Sequence, residues 1–255
     1  MHMHSKSTVV LITGASKEIA KVIAMSMAEK GYNLHLVSHM CNDLKETKLE
    51  ITNRYGVKVS IHDIDLSNSN NILELIKTIG APDVLINNPA VISVGKYADT
   101  ENSITVATWE KAVLDYLIMC RTFYASMKAR GTGLIINVTG LLSDGTLGDY
   151  ISGRFGNTGL NNFTKKWGSD SLKDGIRIFS VNAGAENVER MDISMLVLAE
   201  PEHENIDQLR SFLTSLPVGQ AIPIKECVET VISIVSGRDA YISGTVIKAG
   251  RRSGS

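Results

Sequence analysis

The sequence is poor in cysteine and proline, and each shortage excludes a class of protein. Only three cysteines occur among 255 residues, Cys41, Cys120 and Cys227, too few and too far apart for a disulfide framework or a metal-ligand set. We therefore expect buried free thiols and no metal centre. The five prolines form no proline-rich linker that would divide the chain.

An excess of charge and long apolar runs are also lacking. The 26 lysines and arginines nearly balance the 27 acids, leaving a net charge of -1, so no overall field favours nucleic acid or an anionic membrane. No run of 18 apolar residues predicts a membrane span, and Val9–Ile12 is too short for a secretory signal. These features predict a cytoplasmic protein whose partner is a small molecule.

Short aliphatic runs alternate with helix-length amphipathic stretches along the chain. Most of the runs are solidly apolar, as strands of a parallel sheet buried on both faces are. The predicted strands are Thr8–Ile12, Asn33–Val37, Val57–Ile61, Val84–Ile86, Leu134–Val138, Ile176–Val181 and Gly244–Ile247. The predicted helices are Ile19–Glu29, Leu44–Arg54, Ile72–Thr78, Trp109–Ala129, Gly156–Leu172 and Cys227–Ser236. This order predicts one α/β domain, residues 1–255, with helices on both faces of a parallel sheet.

Two segments depart from the alternation. Residues 1–7 are expected to be disordered. Residues 186–223 are polar, contain three of the prolines and follow the sixth predicted strand. Insertions on the carboxyl side of such a sheet commonly form lids over a substrate, so we predict a lid-like insertion; a purely structural surface excursion is the alternative.

The first predicted strand runs into the turn Thr13-Gly14-Ala15-Ser16-Lys17-Glu18-Ile19-Ala20. A turn between a strand and a helix directs backbone N–H groups and the positive end of the helix towards a pyrophosphate. As a glycine motif this turn is poor, because only Gly14 remains where three glycines are usual.

Four segments in one order extend the pattern over residues 7–250. They are Thr13-Gly14-Ala15-Ser16, Asp65-Leu66-Ser67, Asp83-Val84-Leu85-Ile86-Asn87-Asn88-Pro89-Ala90, and Tyr150 with a basic residue four places later. Together they resemble the short-chain dehydrogenase/reductase family. The resemblance implies a Rossmann-like, doubly wound parallel sheet of about seven strands, assembled as a homodimer or homotetramer through Trp109–Ala129 and Gly156–Leu172.

The resemblance also assigns residues to a dinucleotide. Gly14, Ser16 and Ile19 would line the pyrophosphate. Asp65 would receive the adenine amino group, and Leu66 would pack on the adenine ring.

The nicotinamide half has its own assignments in the same resemblance. Asn88 and Ala90 would hold the ribose of this half. Gly184, after the sixth predicted strand, would allow the backbone to approach the nicotinamide ring closely.

The choice of cofactor depends on the end of the second predicted strand. NAD-binding proteins normally carry an acid there, which takes the ribose 2′-hydroxyl, whereas this chain has Ser38 and His39. Lys17 stands where NADP-preferring relatives carry a basic residue. A lysine with a hydroxyl and an imidazole suits a 2′-phosphate, so we predict NADP(H) rather than NAD(H); the alternative for Lys17 is an ordinary solvated lysine.

Tyr150 and Arg154 form the predicted acid/base pair. In the family a tyrosine exchanges a proton with the substrate oxygen, and a lysine four residues later lowers the pKa of that tyrosine. A phenol needs such a neighbouring cation to act near neutral pH. Arg154 supplies the positive charge but does not release a proton.

Other family positions are changed. Gly140 falls where the family has a serine, and Ser143 or Thr139 is the predicted replacement. Tyr116 stands at the position of an asparagine that holds a relay water, and its bulk favours a core role. At the segment after the sixth strand, Val188 replaces a threonine.

These residues predict an NADP(H)-dependent oxidoreductase acting on a small carbonyl or alcohol. One alternative is a redox-silent nucleotide-binding relative with a regulatory or scaffolding role. Another is a cofactor-independent lyase resembling halohydrin dehalogenases, which Arg154 favours and the retained nucleotide turn disfavours.

Overall fold

A computed structural model describes residues 8–39, 41–66, 68–88, 113–140, 151–183, 224–237 and 241–249, and the structural statements below concern these residues. The strands are β1 Val9–Thr13, β2 Asn33–Ser38, β3 Val59–Asp63, β4 Val84–Asn87, β5 Gly133–Gly140, β6 Ile176–Ala183 and β7 Thr245–Lys248. The helices are α1 Glu18–Glu29, α2 Cys41–Tyr55, α3 Ser69–Ile79, α4 Asp115–Arg130, α5 Ile151–Ser171 and α6 Ile224–Ser236. Each predicted strand and helix overlaps one of these elements.

The seven strands form one sheet in the order β3-β2-β1-β4-β5-β6-β7, and all six neighbouring pairs are parallel. The predicted Rossmann-like, doubly wound sheet is therefore confirmed. The connection reverses direction between β1 and β4, and ligands of such sheets bind outside the carboxyl ends of the strands at this reversal.

Two hydrophobic clusters cover the two faces of the sheet. Successive strand residues point to opposite faces, so Ile136 belongs to the cluster beneath α1, α2 and α6, and Ile135 to the cluster beneath α3, α4 and α5. We call these the α1 face and the α5 face. Both isoleucines are fully buried, as expected for strands covered by helices on both sides.

Element boundaries differ from the prediction where local signals are weak. Helix α5 begins at Ile151 rather than Gly156, because the interval 151–156 contains two glycines that interrupt the apolar period while the backbone continues as helix. Strand β3 is displaced by two residues, to Val59–Asp63. Gly31, predicted to end α1, follows its C-cap with a φ of 84°, the left-handed conformation that glycine adopts readily.

Some apolar residues of the two helices that are expected to form the oligomer interface are not available for it. Phe123 on α4 and Leu160 on α5 are 0% and 1% exposed within the single chain, so these two apolar residues pack in the core and are not at the surface. Cys120 and Cys227 are buried free thiols, as predicted. The side chain of Cys41, residues 1–7 and residues 186–223 lie outside the described part of the chain.

Among the described helices, none is long and apolar enough to cross a membrane.

Candidate active site

The turn after β1 packs against the end of β4. Gly14 has a φ of +60°, and a Cβ added to it would lie 2.0 Å from the backbone oxygen of Asn88, so no other residue fits without moving β4. The backbone N–H of Asn88 donates to Oγ1 of Thr13 at 3.0 Å. These contacts bring together Gly14 and Asn88, two predicted site residues 74 positions apart in the chain.

The turn delivers the N-terminus of α1 to the same place. The N–H of Lys17 donates to the carbonyl of Gly14, and the N–H of Ala15 to the carbonyl of Val37, both at 3.0 Å. Lys17 is the N-cap residue of α1 but makes no capping side-chain hydrogen bond. The cap thus offers no side-chain acceptor to the first amides of the helix, which suits a pyrophosphate.

Two other predicted residues of the turn after β1, Ile19 and Ser16, use their side chains within the fold. The side chain of Ile19 packs against the core of the α1 face, so Ile19 has only its backbone to offer to a phosphate. The hydroxyl of Ser16 lies 2.7 Å from the hydroxyl of Ser38, and this bond links the turn to the end of β2.

Ser38, His39 and Lys17 surround the point where β2 ends. Ser38 is buried, whereas His39 and Lys17 are exposed. Partial burial of the Lys17 ammonium lowers the pKa of Lys17 from its usual value, because desolvation disfavours the charged form. A phosphate beside this ammonium would oppose that shift.

Asp65 and Leu66 lie on the connection from β3 to α3. The Asp65 carboxylate belongs to an exposed residue, and the Asp65 carbonyl accepts a hydrogen bond of 2.8 Å from the Asn71 amide. Leu66 is half-buried against the core of the α5 face. The connection begins beside the end of β2, since the N–H of Ile64, the first residue after β3, donates to the Ser38 carbonyl at 3.0 Å.

Tyr116 is part of the core, as its bulk indicates. It is 4% exposed, and its hydroxyl donates to the backbone carbonyl of Val138. Burial raises the pKa of this phenol well above its usual range. Tyr116 therefore holds the start of α4 against the end of β5, the strand that precedes the predicted site residues Ser143 and Tyr150 in the chain.

The hydroxyl of Thr139 is occupied within the sheet. Its Oγ1 donates to Oδ1 of Asn182 at 2.5 Å and lies 3.1 Å from Oγ of Ser180. Thr139 is 4% exposed. Of the two predicted replacements for the family serine, Thr139 thus has its hydroxyl in a buried network.

The remaining predicted residues lie partly or wholly outside the described part of the chain. Ala90, Ser143, Tyr150 and Gly184 lie outside it. Arg154 lies in the first turn of α5, and its side chain is outside the description.

A second buried network was missed by the sequence analysis. The Asn87 amide donates to Oδ1 of Asn137 at 2.9 Å and to Sγ of Cys120 at 3.3 Å, and the Asn137 amide donates to Oγ1 of Thr164 at 3.3 Å. Burial raises the pKa of the Cys120 thiol to about 12, so the thiol stays protonated. The available signal was the presence of asparagines inside otherwise aliphatic strands, where a polar group needs a partner.

Comparison with known proteins places this geometry in a family. A family model for short chain dehydrogenases matches residues 8–193. A probable 2,4-dienoyl-CoA reductase of Bacillus subtilis is 27% identical over 253 residues, which cover 93% of each chain.

Two solved structures show the same fold. The L-sorbose reductase of Gluconobacter frateurii, complexed with NADPH and L-sorbose, aligns with a TM-score of 0.81 at 21% identity and covers 98% of this chain and 97% of its own. An NAD+-bound xylitol dehydrogenase aligns with a TM-score of 0.83 at 15% identity, with coverage of 96% and 98%.

Three observations indicate the same family. They are the parallel sheet with its reversal between β1 and β4, the glycine turn in contact with Asn88, and the matching family model. The chain belongs to the short-chain dehydrogenase family: it is an oxidoreductase with a fold that binds a nicotinamide cofactor.

Proposed function

We propose that this oxidoreductase uses NADP(H) and acts on a small carbonyl or alcohol, with Tyr150 as the acid/base and Arg154 as its electrostatic support. The observation that carries the cofactor preference is the end of β2. There the hydroxyls of half-buried Ser16 and buried Ser38 lie 2.7 Å apart. Exposed Lys17 and His39 lie beside them, and no carboxylate follows the strand before Met40. A carboxylate would repel a 2′-phosphate, whereas these groups attract it.

The residues present suit the dinucleotide. The close contact of Gly14 with Asn88 leaves no room for a side chain between them, and the uncapped start of α1 offers amides to a pyrophosphate. When bound, the nicotinamide supplies or accepts the hydride. Tyr150 gives a proton to the carbonyl oxygen during reduction and removes it from the alcohol during oxidation.

Arg154 differs from a lysine in what it does for Tyr150. Its guanidinium stays charged over the working pH range, so it stabilises the phenolate form throughout and presents several donors in a fixed plane. Tyr116 fills the space beside the end of β5 with a phenol whose proton is held by the Val138 carbonyl. We infer that Tyr150 exchanges its proton without a titratable lysine, with Ser143 orienting the substrate carbonyl.

The proposal includes the arrangement of the whole chain. Residues 1–255 form one domain, with 186–223 as a lid over the substrate. The chain associates through α4 and α5 in a homodimer or homotetramer, which light scattering would test.

Exchange of Lys17 for glutamate tests the cofactor preference. Lys17→Glu should weaken NADPH binding by roughly 30- to 1000-fold, because it removes one charge-assisted contact and adds one repulsion, together about 2–4 kcal/mol. NADH binding should change far less. Fluorescence titrations with both cofactors measure this, and Lys30→Glu, at the exposed far end of α1, is the matched control. Equal losses for the two cofactors would refute the role of Lys17.

Variants of the acid/base pair test the chemistry. Tyr150→Phe should reduce turnover by roughly 100-fold or more, as expected for loss of a general acid/base. Arg154→Met should move the basic limb of the rate profile to higher pH, because the phenol loses its stabilising cation. Arg121→Met, on an exposed position of α4, is the control. The assignment is wrong if both variants keep the wild-type rates and pH profile over a panel of small ketones.

A further inference from the structure

A cavity of about 210 Å³ lies between helix α5 and the last two strands of the sheet. Three strands, β4, β5 and β6, separate β7 from β1. Neighbouring strands lie about 4.8 Å apart, so the distance from β7, at the edge of the cavity, to β1 and its nucleotide turn is roughly 19 Å. The cavity is lined by Thr158, Asn161, Asn162, Lys165, Asn182 and Lys248, together with Val246.

Two buried asparagines form the inner side of this cavity. Asn182 is 0% exposed and Asn161 is 7% exposed. Each turns its amide oxygen to a hydroxyl of the sheet: Thr139 donates to Oδ1 of Asn182 at 2.5 Å, and Ser180 donates to Oδ1 of Asn161 at 2.7 Å. Because the Ser180 hydroxyl occupies the oxygen of Asn161, the NH₂ group of Asn161 is its remaining donor, and among the described residues this NH₂ group has no hydrogen-bond partner.

Lysines are the charged residues of the cavity. Lys165 and Lys248 line it, and none of the described lining residues carries a carboxylate. Lys165 makes no ion pair within the described part of the chain, whereas the next residue, Lys166, pairs with Asp170 at 3.9 Å. The cavity therefore combines positive charge with an oriented amide donor, a combination that suits an oxyanion.

The cavity continues a stripe of positions along α5. Positions 154, 158, 161 and 165 are spaced by four, three and four residues, so they share one side of the helix. With a rise of 1.5 Å per residue, Lys165 lies about 16 Å along the helix from Arg154. An anion bound near Lys165 is therefore too far away to be the reacting group at Tyr150.

We propose that this cavity is a second, oxyanion-binding site of the enzyme, which takes the phosphate or carboxylate group of a small molecule. The Asn161 amide would donate to the anion, and Lys165 and Lys248 would neutralise its charge. This site is independent of the cofactor preference and acid/base assignments proposed above.

Titration of the full chain with inorganic phosphate and with citrate tests the proposal. NADP(H) is kept at saturation to fill the pyrophosphate turn, ionic strength is held constant with chloride, and binding is followed by calorimetry and by the melting temperature. Lys165→Met/Lys248→Met should weaken binding of the preferred anion at least tenfold. Lys166→Met/Lys225→Met removes two exposed lysines that pair with acids on their own helices and should leave it unchanged. The tighter of the two anions identifies the group.

A variant of Asn161 separates binding from folding. Asn161→Asp keeps the shape of the side chain and an oxygen to accept the Ser180 hydroxyl, but it replaces the NH₂ donor with a second oxygen. It should abolish anion binding while the NADP(H) affinity and the circular dichroism of the folded chain stay at wild-type values.

Three outcomes would overturn the proposal. They are wild type binding neither anion at millimolar concentration, equal binding by the two double variants, and a parallel loss of NADP(H) affinity in Lys165→Met/Lys248→Met. The last would assign the cavity to the dinucleotide site. If the chain binds no dinucleotide but Lys165→Met/Lys248→Met still loses the anion, the proposed function fails and this site stands.

Discussion

The two faces of the sheet differ most at the carboxyl ends of the strands. On the α1 face the side chains there are apolar, such as Ile12, Ile86, Val138 and Val181. On the α5 face the amino halves of the strands are equally apolar, but the carboxyl halves bury polar groups. These are Thr13, Asn87, Asn137, Thr139, Ser180 and Asn182.

The difference indicates that one face chiefly stabilises the fold, while the other chiefly positions the ends of the strands. An apolar contact stabilises the fold without specifying one orientation, whereas a buried polar group requires a partner in a defined direction. Within the polar half, Asn137 and Ser180 bond to Thr164 and Asn161 of α5, the helix that carries Arg154. We infer that the α1 face chiefly holds the sheet together, while the α5 face fixes the ends of β4, β5 and β6 at the site.

The largest effect on stability should come from the fully buried apolar side chains of β5. Ile136→Ala removes a fully buried side chain and should reduce the free energy of unfolding by about 2–5 kcal/mol, with little change in NADPH affinity. Urea unfolding and a cofactor titration measure the two quantities. Ile135→Ala, its fully buried neighbour on the α5 face, should cost a similar amount. A loss below about 1 kcal/mol for Ile136→Ala would contradict the assignment.

An exchange of shape-matched residues sharpens the comparison at one point of β5. Thr139→Val leaves Oδ1 of Asn182 without its donor, and Val138→Thr buries a hydroxyl in the apolar α1 face. Each should reduce the free energy of unfolding by about 1–3 kcal/mol, although the exchanges run in opposite directions. Either variant proving more stable than wild type would show that the faces are not specialised here.

The smallest expected effect concerns the edge of the α5 face. Nδ1 of His35 on β2 lies 2.8 Å from Nε2 of His62 on β3, and the rings are stacked with centroids 5.1 Å apart. Burial lowers the pKa of both imidazoles, and the neighbouring His35 ring further lowers the pKa of His62.

Because protonation is disfavoured in the folded state, the unfolded chain binds more protons as the pH falls. Stability should therefore be complete above the ordinary histidine pKa of about 6.5 and decline below it, towards the lowered folded values. His35→Gln/His62→Gln should flatten the dependence of the melting temperature on pH between about 7 and 5, whereas His39→Gln, at an exposed position, should not. A wild-type slope that persists in the double variant would assign it to other groups.

The elements of this fold were predictable because they depend on local patterns. Solid aliphatic runs and a 3.6-residue period located the strands and helices, and Gly31 marked the end of α1. The nucleotide turn was located because a strand, a glycine and a helix follow one another in the chain. Boundaries were less certain, and α5 begins five residues before its prediction, since glycine weakens the helical pattern without preventing the helix.

The contacts of the site were predictable only in part. The bulk of Tyr116 indicated a core role, but its bond to the Val138 carbonyl depends on how α4 crosses β5. Asn137 and Asn182 looked like irregularities in apolar strands. Their roles emerge only when β4, β5 and β6 lie side by side.

The order of the elements, the position of the nucleotide turn and the family follow from local periodicity and from motifs in a fixed order, so the amino-acid sequence was enough to identify them. Which strands are neighbours is known only from the packed sheet. That packing explains why position 14, in contact with Asn88, must be glycine and why the buried polar groups are concentrated on one face. The physical reason is that backbone conformation is a local preference. The partner of a buried amide or hydroxyl is instead selected by packing between segments far apart in the chain.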